Sequence, residues 1–141
     1  MKIIVIDAQG GGIGRYLVAG LRQANVRSEI IAAGTNAIAS SNMLKAGANA
    51  GASGENAIVY NARRCTEKDI IAGPIGIILA NSMHGEISPA MAEAVSESDA
   101  VKVLIPSNKC PLYVAGIVQK PLPDYIDDAI QKILALEEAN E

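Results

Sequence analysis

Four glycines fall within five positions, at Gly10, Gly11, Gly12 and Gly14. They follow the apolar run Ile3-Ile4-Val5-Ile6 and open a helical pattern. A glycine-rich turn between strand and helix aims backbone N–H groups and the positive end of a helix dipole at one spot, which stabilises an anion. The chemistry expected of Gly10-Gly11-Gly12-Ile13-Gly14 is therefore the binding of a phosphate-bearing ligand. A turn serving only close packing rarely needs so many glycines. Asp7 stands at the strand end. It either bonds the loop's own N–H groups or holds a metal, and without a metal its charge repels a phosphate. Candidates for proton transfer are His84 and Glu86 in the polar segment 81–87. The unperturbed imidazole suits that role, although a single loop histidine is more often a surface residue. Cys110 follows Lys109, which would lower its pKa, but a buried inert thiol is the commoner outcome. No spacing supports a Cys110–His84 nucleophile pair.

Known phosphate motifs narrow the reading. The dinucleotide fingerprint is G-x-G-x-x-G, whereas this chain has G-x-G-x-G at Gly10, Gly12 and Gly14. Against the short-chain dehydrogenase pattern T-G-x-x-x-G-x-G, Gly12 and Gly14 match, and Asp7-Ala8 replace the leading Thr-Gly. The nucleotide-hydrolase loop needs a lysine where Arg15 stands and a hydroxyl where Tyr16 stands. Arginine is no equivalent there, which excludes that chemistry. An NAD site wants a carboxylate at the end of the second strand, about 20 residues beyond the loop. Gly34-Thr35-Asn36 hold that place, and Glu29 lies at the wrong end. Thr35, Asn36 and Ser40 offer hydrogen bonds to a ribose or a second phosphate. Gly73-Pro74-Ile75-Gly76 closes a further strand and should share the same sheet edge, with Gly73 permitting close approach. Glu55 and Asn56 are either ligand contacts or ordinary helix-start residues.

The elements that must position these groups follow from periodicity. Strands are expected at 2–6, 28–33, 69–72 (stopping at Gly73-Pro74), 101–105 and 112–118. Ile13, Leu17, Val18 and Leu21 mark the apolar face of a first helix that stops near Asn25. A second helix covers 37–46. Residues 48–61 read as a small-residue loop capped by Ser53 and then a short helix, and 75–80 is either strand or helical turn. Ser88-Pro89 is a helix start, a hydroxyl cap followed by proline at the first helical position. That helix runs to about Ser98. Pro121 and Pro123 open a last helix with Ile126, Ile130, Ile133 and Leu134 on its apolar face. Strands alternating with helices, and lacking polar alternation, predict an α/β fold. It is a three-layer, Rossmann-like domain over 1–141, with a mostly parallel sheet and helices on both faces.

Composition bounds the function. Of 141 residues half are hydrophobic and 19% charged, which excludes disorder. Four Tyr are the only aromatics, so stacking of nucleic-acid bases is not expected. Net charge is −3 with no basic stripe, which argues against nucleic acid and anionic membrane as partners. Cys65 and Cys110 match no metal or redox spacing, and no metal is predicted. A strand directly after Met1 leaves no signal peptide in this sequence, so a cytoplasmic protein is expected.

Gly34-Thr35 and Gly73-Pro74-Ile75-Gly76 resemble the phosphate loops of methylglyoxal synthase. That enzyme carries a carboxylate just after G-P-x-G, where Ile77 and Ile78 stand here. A broader resemblance rests on Ile4 to Gly14, Gly34-Thr35-Asn36, Gly51 to Ala57, Gly73 to Gly76 and Gly85 to Met91. Together these resemble an uncharacterised bacterial family of small single-domain proteins, catalogued as a domain of unknown function. The resemblance implies a Rossmann-like fold and brings no activity. The expected function is binding of a phosphorylated small molecule, with NAD(P) or another nucleotide as the candidate cofactor. Gly10, Gly11, Gly12, Ile13, Gly14, Thr35, Asn36 and Gly73 would bind it, and His84 and Glu86 would transfer protons in a small reductase or lyase. The alternatives are a ligand sensor and an oligomeric scaffold, with a homodimer as the candidate assembly.

Overall fold

The computed structural model describes residues 1–107 and 112–141. Five strands are β1 (Lys2–Asp7), β2 (Glu29–Gly34), β3 (Ala50–Ser53), β4 (Ile70–Pro74) and β5 (Val101–Ile105). Five helices are α1 (Gly12–Gln23), α2 (Ala37–Lys45), α3 (Glu55–Arg63), α4 (Pro89–Glu97) and α5 (Leu122–Ala139), with a 3-10 turn at Ile75–Ile78 after β4. The strands form one all-parallel sheet in the order β3-β2-β1-β4-β5. This is the expected α/β arrangement.

The strands are apolar on both sides because both faces are covered. Ile3 and Val5 of β1 pack with Leu17, Leu21, Met43, Ile130 and Ile133, which puts α1, α2 and α5 on one face. Ile4 and Ile6 pack with Ile58, Met91 and Val95, which puts α3 and α4 on the other. The caps at two helix starts follow from residue chemistry. Asn36 accepts the N–H of Ala39 at 2.9 Å, and Ser88 accepts that of Met91 at 3.2 Å.

Three local expectations are corrected. Ala50-Gly51-Ala52-Ser53 is a strand rather than a loop, and the cap of α3 is Gly54 rather than Ser53. These small residues carry no strand signal of their own. Backbone pairing with β2 makes them one, and Ser40 assists. The Ser40 hydroxyl accepts the N–H of Gly34 at 2.9 Å and donates to the carbonyl of Ala52 at 2.6 Å. Residues 112–118 form no strand, and Leu112, Tyr113, Val114 and Val118 are exposed. β4 continues through Gly73 and Pro74 instead of stopping before them, and a 3-10 turn follows it. At the far end of the sheet, buried Glu137 of α5 accepts the N–H groups of Arg27 and Ser28 and the Ser28 hydroxyl, tying α5 to the start of β2. Among the described residues no helix is long and apolar enough to cross a membrane.

Candidate functional site

Consecutive strands run outward in one direction from β1 to β2 to β3 and in the other from β4 to β5. The direction reverses between β1 and β4. In open parallel sheets the loops leaving the strand ends at such a reversal diverge and leave a crevice where ligands bind. The glycine turn after Asp7 and the segment after Pro74 flank that point.

The turn itself is tightly defined. The Gly11 N–H donates to the carbonyl of Ala8 at 2.9 Å, with Gln9 at φ 52° and Gly11 at φ 69°. Asn42 of α2 donates its side-chain amide to the carbonyl of Gly10 at 2.9 Å and so holds the turn from outside. Asp7 is 4% exposed and serves the turn: its Oδ1 accepts the Ala8 N–H and its Oδ2 the Gly14 N–H, both at 2.7 Å. Burial pushes the Asp7 carboxyl above its ordinary range, against the pull of the Gly14 and Ala8 N–H groups, and the charge of Glu86 adds to the rise.

The structure sorts the glycines by what a side chain would meet. A Cβ on Gly11 would lie 3.0 Å from the Ala39 backbone, and one on Gly14 would collide with Met43. Gly73, read from sequence as admitting a ligand, instead makes room for the carbonyl oxygen of Ile6 in the neighbouring strand. Gly10 and Gly12 differ, because a Cβ on either would enter open space. Their N–H groups also find no acceptor among the described residues, whereas the Gly14 N–H is taken by Asp7.

Thr35 and Asn36 lie beside this turn because Asp7 pairs with Gly34 and the Thr35 N–H donates to the Asp7 carbonyl at 3.0 Å. Glu86 reaches the same place from the loop before α4. Its Oε1 accepts the Gln9 N–H at 2.9 Å, the Thr35 hydroxyl at 2.6 Å and the Asn36 amide at 3.0 Å. The Asn36 amide also donates to the Gln9 carbonyl at 3.0 Å. The Thr35 hydroxyl, with the Gln9 N–H and the Asn36 amide behind it, holds the Glu86 carboxyl below its usual range despite some desolvation. A lowered folded-state pKa means a contribution to stability that is present above the unfolded value and lost as pH falls through the folded one. Acidification through that range should therefore undock Glu86, read as loss of hydrogen-exchange protection at the Gln9 N–H while the amides of β1 stay protected. Protection of Gln9 that persists after Glu86 is protonated would contradict this.

The loop that carries Glu86 is built for the reach. Asn81, Met83 and His84 have positive φ of 64°, 54° and 59°, followed by Gly85 at 85°. The Asn81 N–H donates to the Ile87 carbonyl at 2.6 Å, and fully buried Ile87 anchors the base. His84 is exposed at the loop tip. Its charge gives a minor assist to keeping Glu86 ionised. Ser40 is engaged between β2 and β3, and Glu55 and Asn56 are exposed residues in the first turn of α3. Cys65 is buried, and burial raises its thiol pKa. Lys109 and Cys110 lie outside the described residues. Sequence reasoning named Thr35, Asn36 and Glu86 separately but did not pair them. Gln9 and Asn42 carried no motif signal, since one acts through its backbone and the other through an ordinary surface-helix position.

The model of a family described as a domain of unknown function (DUF3842) matches residues 2–138. No curated protein and no solved structure matches the chain.

Proposed function

We propose, for a chain that belongs to the DUF3842 family, a function read from its site: binding of a phosphorylated small molecule of nucleotide type at the glycine turn after β1, beside the point where the strand order reverses. The observation that carries this is the pair Gly10 and Gly12. Both lack a side chain where the protein itself leaves open space, and both present N–H groups without an acceptor among the described residues. Packing accounts for Gly11, Gly14 and Gly73 but not for these two. A phosphate resting on a turn at a helix N-terminus uses both properties, since it needs backbone donors and close approach. NAD, NADP and other nucleotides are the candidate ligands.

Gly12→Val tests this. The added side chain enters open space, so the fold should survive, while the phosphate position is filled. Thermal shift with NAD, NADP, FMN, ATP and sugar phosphates reads the outcome. A ligand at 100 times its Kd adds about 2.7 kcal/mol of stability. Wild type should respond to a nucleotide, and Gly12→Val should melt as wild type does but lose the response. No response from wild type to any of them would sink the proposal. If a ligand binds, turnover lost in His84→Ala with binding intact marks a reductase or lyase, and binding without turnover marks a sensor.

A scaffold role is favoured by a different observation, the exposed apolar residues Leu112, Tyr113, Val114, Val118 and Leu122. Clusters of this kind mark interaction surfaces. Sedimentation at two protein concentrations would show self-association if this segment joins copies of the chain.

A further inference from the structure

We infer that Glu86 is the group that recognises a ribose, through a vicinal diol on the ligand, at the end of β2. This rests on the phosphate-site reading above and names the class of ligand that the site takes. Where a nucleotide lies across a parallel sheet with its phosphates at the first glycine turn, its ribose falls over the end of the second strand, and a carboxylate there accepts the two hydroxyls. In this chain β2 ends at Gly34, and Thr35 and Asn36 follow it with no acid. The structure supplies the acid from elsewhere. Glu86, from the loop before α4, sits on Thr35, Asn36 and the Gln9 N–H of the glycine turn.

The two carboxylate oxygens differ. Oε1 takes three donors at 2.6 to 3.0 Å. Oε2 accepts from none of the described residues. One oxygen therefore fixes the side chain and the other is left to accept from a ligand. An ionised carboxylate offers acceptors only, and hydrogen bonds to it are among the strong ones. It suits hydroxyl donors and opposes a phosphate at the same spot. The left-handed backbone at Asn81, Met83, His84 and Gly85 turns the loop so that Glu86 reaches the Gln9 N–H and Thr35. Thr35 and Asn36, read from sequence as contacts to a ribose or a second phosphate, act in this arrangement by positioning Glu86.

The test compares ligands that differ only at the sugar hydroxyls. Wild-type protein is titrated calorimetrically with NAD against NADP and with AMP against 2′-deoxy-AMP. Wild type should bind NAD at least about tenfold tighter than NADP, and AMP tighter than its deoxy form. Glu86→Gln should weaken NAD about tenfold and bring NAD and NADP close to parity. Thr35→Val, which frees Oε1 of its shortest bond, should reduce the discrimination without abolishing binding. Equal affinity of wild type for both members of each pair would overturn the inference and leave the phosphate reading standing. An unchanged NAD-to-NADP ratio in Glu86→Gln would overturn it too. Failure of wild type to bind any of the four would overturn this inference, and the phosphate reading would then stand or fall on the thermal-shift series. The wild-type comparisons do not depend on how well either variant folds.

Discussion

Gly73→Ala should lower the stability of the protein by about 3 kcal/mol, near the upper end of what a single added carbon costs in a packed interior. The new Cβ would point at the carbonyl oxygen of Ile6, well inside contact distance, with the Ile6 carbonyl carbon at 3.3 Å. Both obstacles are backbone in the central strand β1, which pairs with β2 on one side and β4 on the other. A flexible side chain would rotate away, but this carbonyl moves only if the sheet parts. A loss of that size is a large share of the 5–15 kcal/mol that holds a typical domain together. It should appear as a melting point lower by about 10 °C. Gly12→Ala is the control: its Cβ meets nothing, and it should melt within about 0.5 kcal/mol of wild type. Equal stability of the two variants would show that the close approach of β1 and β4 is not the reason for glycine at position 73.

Asp7→Ala should cost about 2 kcal/mol. The substitution strands the N–H groups of Ala8 and Gly14 in a buried place, at about 1–3 kcal/mol each. It also relieves the burial of a carboxylate, which offsets part of that loss and accounts for the raised pKa. The pH dependence has a definite sign. Because burial raises the folded-state pKa, the contribution of Asp7 is fully present below its unfolded value and declines as pH rises through the folded one. The stability gap between wild type and Asp7→Ala, measured by urea unfolding, should therefore widen from neutral pH toward acid. A gap that narrows on acidification would mean that the charged form of Asp7 is the one the fold favours. Glu86 should behave in the opposite sense, losing its contribution on acidification. Two acids at one turn thus have opposite roles. Asp7 is a buried cap on the turn, and Glu86 is an ionised side chain at its rim.

Much of the architecture was legible in the chain. Ile3 to Ile6 and Ile70 to Ala72 are apolar without alternation because each strand is covered on both faces, and that pattern alone predicts a parallel sheet between helix layers. Ser88-Pro89 marks a helix start because a cap acts on N–H groups two or three residues away, within reach of local sequence. Ala50 to Ser53 was not legible, because its strand conformation comes from the backbone of β2 rather than from its own side chains. Leu112 to Val118 misled for the converse reason. Its residues favour a strand, but among the described residues no strand pairs with it.

The sequence by itself determined that a glycine turn joins the first strand to the first helix, since positive φ and missing side chains are local requirements. Only the tertiary structure decided what each glycine is for. Gly11, Gly14 and Gly73 answer to Ala39, Met43 and Ile6, while Gly10 and Gly12 face open space. It also decided that Glu86, 51 positions beyond Thr35, meets Thr35 and Asn36 at the end of β2. Periodicity and capping act over a few residues. Which loops meet at one sheet edge depends on strand order, and strand order is settled by burial across the whole chain.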